Sequence, residues 1–87
     1  MNYEIQMKKN EDENSKLKAA VTVTFGNAFV VKGIKLYEGE KGLFVSMPNY
    51  KVDEEYKDIC FPTTASFREK LNTVVLEKYQ EIVQTAG

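Results

Sequence analysis

Leu17-Lys18-Ala19-Ala20-Val21-Thr22-Val23-Thr24-Phe25-Gly26-Asn27 decides the fold class. Ala19, Val21, Val23 and Phe25 share one face of an extended chain, and Ala20, Thr22 and Thr24 share the other. Alternation with a period of two marks a half-buried strand, and β-branched residues favour it. Gly26-Asn27 is a two-residue turn signal that reverses the chain into an antiparallel neighbour. That neighbour runs from Ala28 to Tyr37. Its Phe29 and Val31 are out of phase with Ile34 and Leu36. A bulge near Lys32-Gly33 adds one residue and brings all four onto one face.

The pattern extends in both directions. Tyr3, Ile5 and Met7 alternate with Glu4 and Gln6 as an opening strand. Residues 8–16 hold no apolar side chain and read as a solvated hairpin connection. Glu38-Gly39-Glu40-Lys41-Gly42 is a further turn, followed by a short strand, Leu43 to Met47, that Pro48 ends. Asn49 to Glu55 is polar and acidic and reads as a loop. Tyr56 to Phe61 reads as the last strand, with Ile59 and Phe61 on one face, closed by Pro62. Ser66-Phe67-Arg68-Glu69 fits a capping box at the start of a helix. Phe67, Leu71, Val74, Val75, Lys78 and Ile82 then recur at helical spacing, and the apolar arc also takes in Leu76, Tyr79 and Val83. An arc of roughly 200° is twice what packing on one sheet needs. Leu76, Tyr79 and Val83 are the expected contacts with a second copy, the alternative being a helix that lies deep in its own sheet with Leu76 simply exposed. The expected fold class is α+β: an antiparallel meander of about five strands with one C-terminal helix packed on it, in two layers.

Composition bounds the function. The 87 residues suit one domain, residues 1–87. With 43% hydrophobic and 29% charged residues the chain is globular, not disordered or fibrous. Twelve Lys+Arg against thirteen Asp+Glu give a net charge of −1, so no global basic field points to nucleic acid. Histidine is absent, which excludes every imidazole mechanism. A single cysteine, Cys60, suits a reducing compartment. No apolar run approaches the roughly 20 residues of a membrane span, and no signal-peptide core opens the chain, so a cytoplasmic location is expected. Asp53, Glu54 and Glu55 sit together in a solvated stretch. Asp58 reads as an outward strand residue paired with a lysine, and Cys60 as a small buried hydrophobe. The acids lack the spacing of a Ca²⁺ loop, and no Gly-rich phosphate loop precedes a helix. The expectation is no enzyme, no metal, no cofactor and no small-molecule substrate. Locally, Lys51, Lys57, Arg68 and Lys70 surround the Met47–Pro48 turn and the helix start, a setting that suits phosphate.

Three blocks carry a family resemblance: Ala28-Phe29-Val30-Val31-Lys32-Gly33-Ile34-Lys35, Gly42-Leu43-Phe44-Val45-Ser46-Met47-Pro48 and Tyr56-Lys57-Asp58-Ile59-Cys60-Phe61-Pro62. They closely resemble the stage V sporulation protein G family (SpoVG, the septation protein), and the likeness continues through Arg68, Lys70, Leu71, Val75, Leu76 and Tyr79. The resemblance implies an antiparallel sheet with a C-terminal helix, a homodimer and no enzymatic activity. It implies a small bacterial regulator that influences septation, sporulation or related gene expression and binds DNA or RNA mainly through phosphates. It places the nucleic-acid contacts on Lys51, Lys57, Arg68 and Lys70. The chain departs from the family pattern after Met-Pro: Ser-Lys-Arg is replaced by Asn49-Tyr50-Lys51, Asp53-Glu54-Glu55 follow, and Phe61 stands where the family has histidine. The loop thus has one cation fewer, and Tyr50 gains the capacity to stack on a base. The alternative is a protein-interaction module in cell division or development with no nucleic-acid role of its own.

Overall fold

The computed structural model describes residues 2–86, with side chains through residue 84. Four strands, β1 (Tyr3–Lys9), β2 (Leu17–Phe25), β3 (Phe29–Gly39) and β4 (Gly42–Ser46), form one antiparallel sheet in chain order. Two more, β5 (Asn49–Val52) and β6 (Glu55–Asp58), form a separate antiparallel hairpin. The chain ends in helix α1 (Ala65–Ala86), which lies on one face of the larger sheet. The fold class is α+β, as the periodicity predicts.

The bulge at Lys32-Gly33 is present. Val21 pairs with Ile34 and Val23 with Val31, so the single residue between them on β2 faces two on β3. Gly33 supplies the backbone turn at φ 88°, a region that L side chains avoid. The shift puts Val31 and Ile34 on one face with Val21 and Val23, where Leu71 and Val75 of α1 meet them. Val23, Ile34 and Val75 are wholly buried. Burial of each such side chain stabilises the fold by about 1.5–3 kcal/mol. Tyr3, Phe25 and Phe67 form an aromatic cluster with ring centroids 5.5–5.8 Å apart, joining β1, β2 and the first turn of α1.

Several local expectations are corrected. The β2–β3 connection has three residues rather than two. Gly26 and Asn27 both take positive φ, 56° and 55°, in a primed turn closed by the Ala28 N–H donating to the Phe25 carbonyl at 3.0 Å. Strand β1 continues through Lys8 and Lys9, and the loop that follows is ordered by its own polar side chains. The Asn10 amide donates to the Leu17 carbonyl at 2.8 Å, and Asp12 Oδ1 accepts from the Asn14 N–H at 3.0 Å. The helix cap is Thr64, whose Oγ1 accepts from the Phe67 N–H at 3.2 Å, so Ser66 lies inside the first turn and builds no capping box. Residues 49–55 are not a loop but β5, a two-residue turn at Asp53-Glu54 and the first residue of β6, so the described residues hold six strands in two sheets, not about five in one. The expected last strand, Tyr56 to Phe61, ends at Asp58 and does not join the larger sheet. Ile59 and Phe61 remain exposed, at 65% and 61%. Cys60 is half-buried in the bend after β6 rather than buried in a strand.

The bulge yields a direct test. Gly33→Ala should destabilise the fold by about 1–2 kcal/mol through its positive φ. A built Cβ meets only ordinary contact, 3.6 Å from Pro48 Cβ, so crowding adds little. Chemical denaturation should show a lower midpoint with an unchanged slope; a midpoint equal to wild type would refute the strain argument.

Candidate nucleic-acid interface

The β5–β6 hairpin carries three of the five candidate residues. Asn49 pairs with Asp58, Tyr50 with Lys57, Lys51 with Tyr56 and Val52 with Glu55. Directly opposed residues share a face, so Tyr50 and Lys57 lie together on one side, and Lys51 and Tyr56 on the other. Lys51 Nζ stands 5.9 Å from the Tyr56 ring centroid, within cation–π range. All residues from Tyr50 to Ile59 are exposed, Tyr50 at 50% and Tyr56 at 70%. The arm therefore offers a cation and an aromatic ring on each face.

Its base and its tip are set by different means. The Asn49 amide donates to the Met47 carbonyl at 2.8 Å and to Ser46 Oγ at 3.3 Å, and the Ile59 N–H donates to the Pro48 carbonyl at 2.7 Å. These bonds tie the arm to the end of β4. At the tip, Asp53 and Glu54 both take positive φ, 47° and 70°. Two successive left-handed residues make the tight primed turn that a two-residue hairpin needs. Aspartate tolerates that region through local hydrogen bonding, whereas glutamate gains no such relief.

Arg68 and Lys70 sit in the first turns of α1 and are exposed. Arg68 borders a hollow of about 230 Å³ together with Phe44, Ser46, Asp58, Phe61 and Asn72. Two positions on a helix are about 200° apart around its axis, so Lys70 points away from the hollow that Arg68 borders. The structure thus brings Arg68 to the root of the arm, splits Lys51 from Lys57 across its two faces, and leaves Lys70 apart. An acid, Asp58, stands in the same hollow as Arg68.

Tyr56 is the candidate that the linear pattern misses. Its signal is Tyr50-Lys51-Val52 facing Glu55-Tyr56-Lys57 across Asp53-Glu54, a short hairpin hidden by an acidic turn. The expected dimer residues lie farther along α1. Leu76 and Tyr79 are half-buried, and Val83 is 36% exposed. Leu76 borders a shallow hollow with Thr73, Gln80 and Gln84. No helix among the described residues is long and apolar enough to cross a membrane.

The family model for SpoVG matches residues 1–81. The chain belongs to the SpoVG family. A relative from Heliobacterium modesticaldum is 51% identical over 72 residues, covering 82% of this chain and 81% of the relative. One from Agathobacter rectalis is 44% identical over 82 residues, 93% of each. Both bear the name "Putative septation protein SpoVG". The match spans the sheet, the arm and most of α1, so the candidate residues for nucleic acid all lie within the SpoVG region.

The strained tip gives a prediction for the arm alone. Glu54→Gly removes a left-handed penalty of roughly 1–2 kcal/mol, part of which the greater backbone freedom of glycine offsets. Hydrogen exchange of the hairpin amides should slow several-fold while the core amides of β2 and β3 are unchanged. Equal or faster hairpin exchange would show that the turn is not strained.

Proposed function

We propose that this SpoVG-family protein is a small, dimeric, cytoplasmic regulator that binds DNA or RNA weakly, mainly through phosphates, and acts in septation, sporulation or related gene expression. The observation that carries the proposal is the exposed arm with Lys51 beside Tyr56 on one face and Tyr50 opposite Lys57 on the other. Lysine neutralises phosphate and an adjacent ring offers a stacking surface, the combination that tracks a nucleic-acid strand. Arg68 at the root of the arm continues the cationic path. Asp53, Glu54, Glu55 and Asp58 lie along the same path and keep the affinity low. The role is binding rather than catalysis and uses no metal, cofactor or small-molecule substrate; the chain has no histidine to serve as a base.

The dimer rests on surface area. The chain exposes 6510 Å², whereas a compact monomer of 10.0 kDa exposes about 5,200 Å². The surplus exceeds the roughly 800 Å² that each partner buries in a standard interface. Leu76, Tyr79 and Val83 on the apolar arc of α1 are the proposed contacts.

A second reading is favoured by a different feature. Phe25, Phe29, Val31, Met47, Cys60 and Phe61 line an open, almost wholly apolar groove of about 330 Å³ beside the start of α1, and Phe29 is 66% exposed. Such a groove suits a protein partner, as in a protein-interaction module of cell division or development.

Fluorescence anisotropy with labelled duplex DNA at several salt concentrations separates these readings. Binding should weaken with salt, and Lys51→Gln or Arg68→Gln should flatten the log–log slope by about 0.9 for each phosphate no longer neutralised. Replacing Asp53, Glu54 and Glu55 together by Lys should strengthen binding. No binding by the wild-type protein to DNA or RNA at low salt would leave the protein-interaction reading.

The assembly is tested separately. Light scattering at micromolar concentration should return about twice the 10.0 kDa chain mass, and Leu76→Glu should shift it towards the monomer by placing a charge in an apolar contact. A wild-type mass near that of one chain across a broad concentration range would remove the dimer.

A further inference from the structure

The face of the larger sheet turned away from α1 carries no helix. Register places Lys8 of β1, Ala20 of β2, Lys35 of β3 and Ser46 of β4 in one row across it. Lys8, Ala20 and Lys35 are exposed, which identifies the row as outward. Lys8 and Lys35 lie two strand spacings apart, about 9–10 Å. The adjacent row holds Tyr37 and Phe44, directly paired across β3 and β4. Their rings stack with centroids 5.7 Å apart and planes 24° from parallel. Phe44 is 51% exposed.

The Phe44 ring is held in place from below. A Cβ built at Gly39 would stand 3.0 Å from Phe44 Cε1, so the absence of a side chain there makes room for the ring to lie against the backbone. Tyr37 flanks it. What remains open is an aromatic surface fixed before any ligand arrives, with Lys35 one row away and Lys8 beyond. Phe44 also borders the hollow that Arg68 borders, so this face is continuous with the root of the arm around the β4 edge. Glu4 lies on the same face of β1 at the far end from the rings, and Glu13, Glu38 and Glu40 border a hollow at the β3–β4 turn together with Lys16 and Lys18.

We propose that this open face is a platform for single-stranded nucleic acid, with a base stacked on Phe44, Tyr37 supporting that ring, and Lys35 and Lys8 holding the flanking phosphates. The proposal rests on the nucleic-acid reading and assigns it a second surface that the arm does not include. Charge complementarity selects the occupant, because exposed Lys35 one row from a fixed ring, with Lys8 farther along the same face, satisfies a base and its flanking phosphates together. A single strand is favoured over a duplex because only an unpaired base presents its flat side to a ring.

The test uses the full chain and fluorescein-labelled oligo(dT), oligo(rU) and a duplex of equal length, in anisotropy titrations across salt. Phe44→Leu should weaken single-strand binding about tenfold by removing the stacking surface and leave the salt slope unchanged. Lys35→Gln should flatten that slope by about 0.7. Gly39→Ala, which displaces the ring, should follow Phe44→Leu, and the duplex should be much less sensitive to either. Thermal melts establish that each variant is folded; if Phe44→Leu is not, Lys35→Gln, a surface change, decides. If Phe44→Leu and Lys35→Gln both bind like wild type while Lys51→Gln or Arg68→Gln does not, the platform is wrong and the arm alone carries binding. If the wild-type protein binds none of the probes, the nucleic-acid reading and the platform fall together. If Phe44→Leu converts a dimer to a monomer in light scattering without altering binding, the face is an interface between copies and the platform is likewise refuted.

Discussion

One extra residue on β3 sets the rest of the structure. Side chains alternate across a strand, so without the bulge at Lys32-Gly33 the pair Phe29 and Val31 would face away from Ile34 and Leu36. Lys32 would then point into the floor beneath α1 in place of Val31. With the bulge, Val31 and Ile34 meet Val21, Val23, Leu71 and Val75 in one core. Gly33 permits the kink because its φ of 88° strains any residue with a side chain. Pro48 packs against the same glycine, and there the chain leaves the larger sheet to begin the arm.

That constraint gives the sheet two unlike faces. The inner face is apolar, covered by α1 and pinned at one end by the Tyr3–Phe25–Phe67 cluster. The outer face stays open because Ala20, Thr22, Thr24, Lys8 and Lys35 bury too little apolar surface to attract a second layer. Two kinds of surface are left free, an arm with a cation and a ring on each side and a flat face with a supported aromatic pair. They meet at the β4 edge, where Phe44 and Arg68 border one hollow. The low net charge of −1 conceals this arrangement, because thirteen acids offset twelve cations over the whole chain while Lys51 stands beside an aromatic ring.

Much of the candidate site is visible in the linear order, and part of it is hidden by a conflict between signals. Lys51 and Lys57 follow the Met47–Pro48 turn in sequence on the arm that it starts, and Arg68 at the helix start borders one hollow with Met47. The strands on either side of Asp53-Glu54 are obscured because an acidic run reads as solvated coil, and because neither residue is the glycine that marks a primed turn. Ser66-Phe67-Arg68-Glu69 satisfies the capping pattern, yet Thr64 caps the helix. Thr64 and Ser66 lie within one turn of each other, and the helix hydrogen bonds begin at Thr64, whose carbonyl accepts from the Arg68 N–H at 3.1 Å. Phe44 does not stand out as a surface group because its neighbours in sequence, Leu43 and Val45, are partly buried; only its pairing with Tyr37 shows what it offers.

The sequence by itself determined strands β1 to β4, the bulge, the long amphipathic helix, the exclusion of imidazole chemistry and the SpoVG resemblance. All of these follow from local periodicity, turn residues, composition or contiguous blocks, which need no knowledge of distant contacts. The tertiary structure decided that β5 and β6 stand apart from the larger sheet, that Lys51 and Lys57 face opposite ways, that Lys70 turns from Arg68, and that Tyr37 and Phe44 stack on the open face. These depend on register across strands and on which face the helix covers. Register is set by packing between segments far apart in the chain, and no single stretch of sequence contains it.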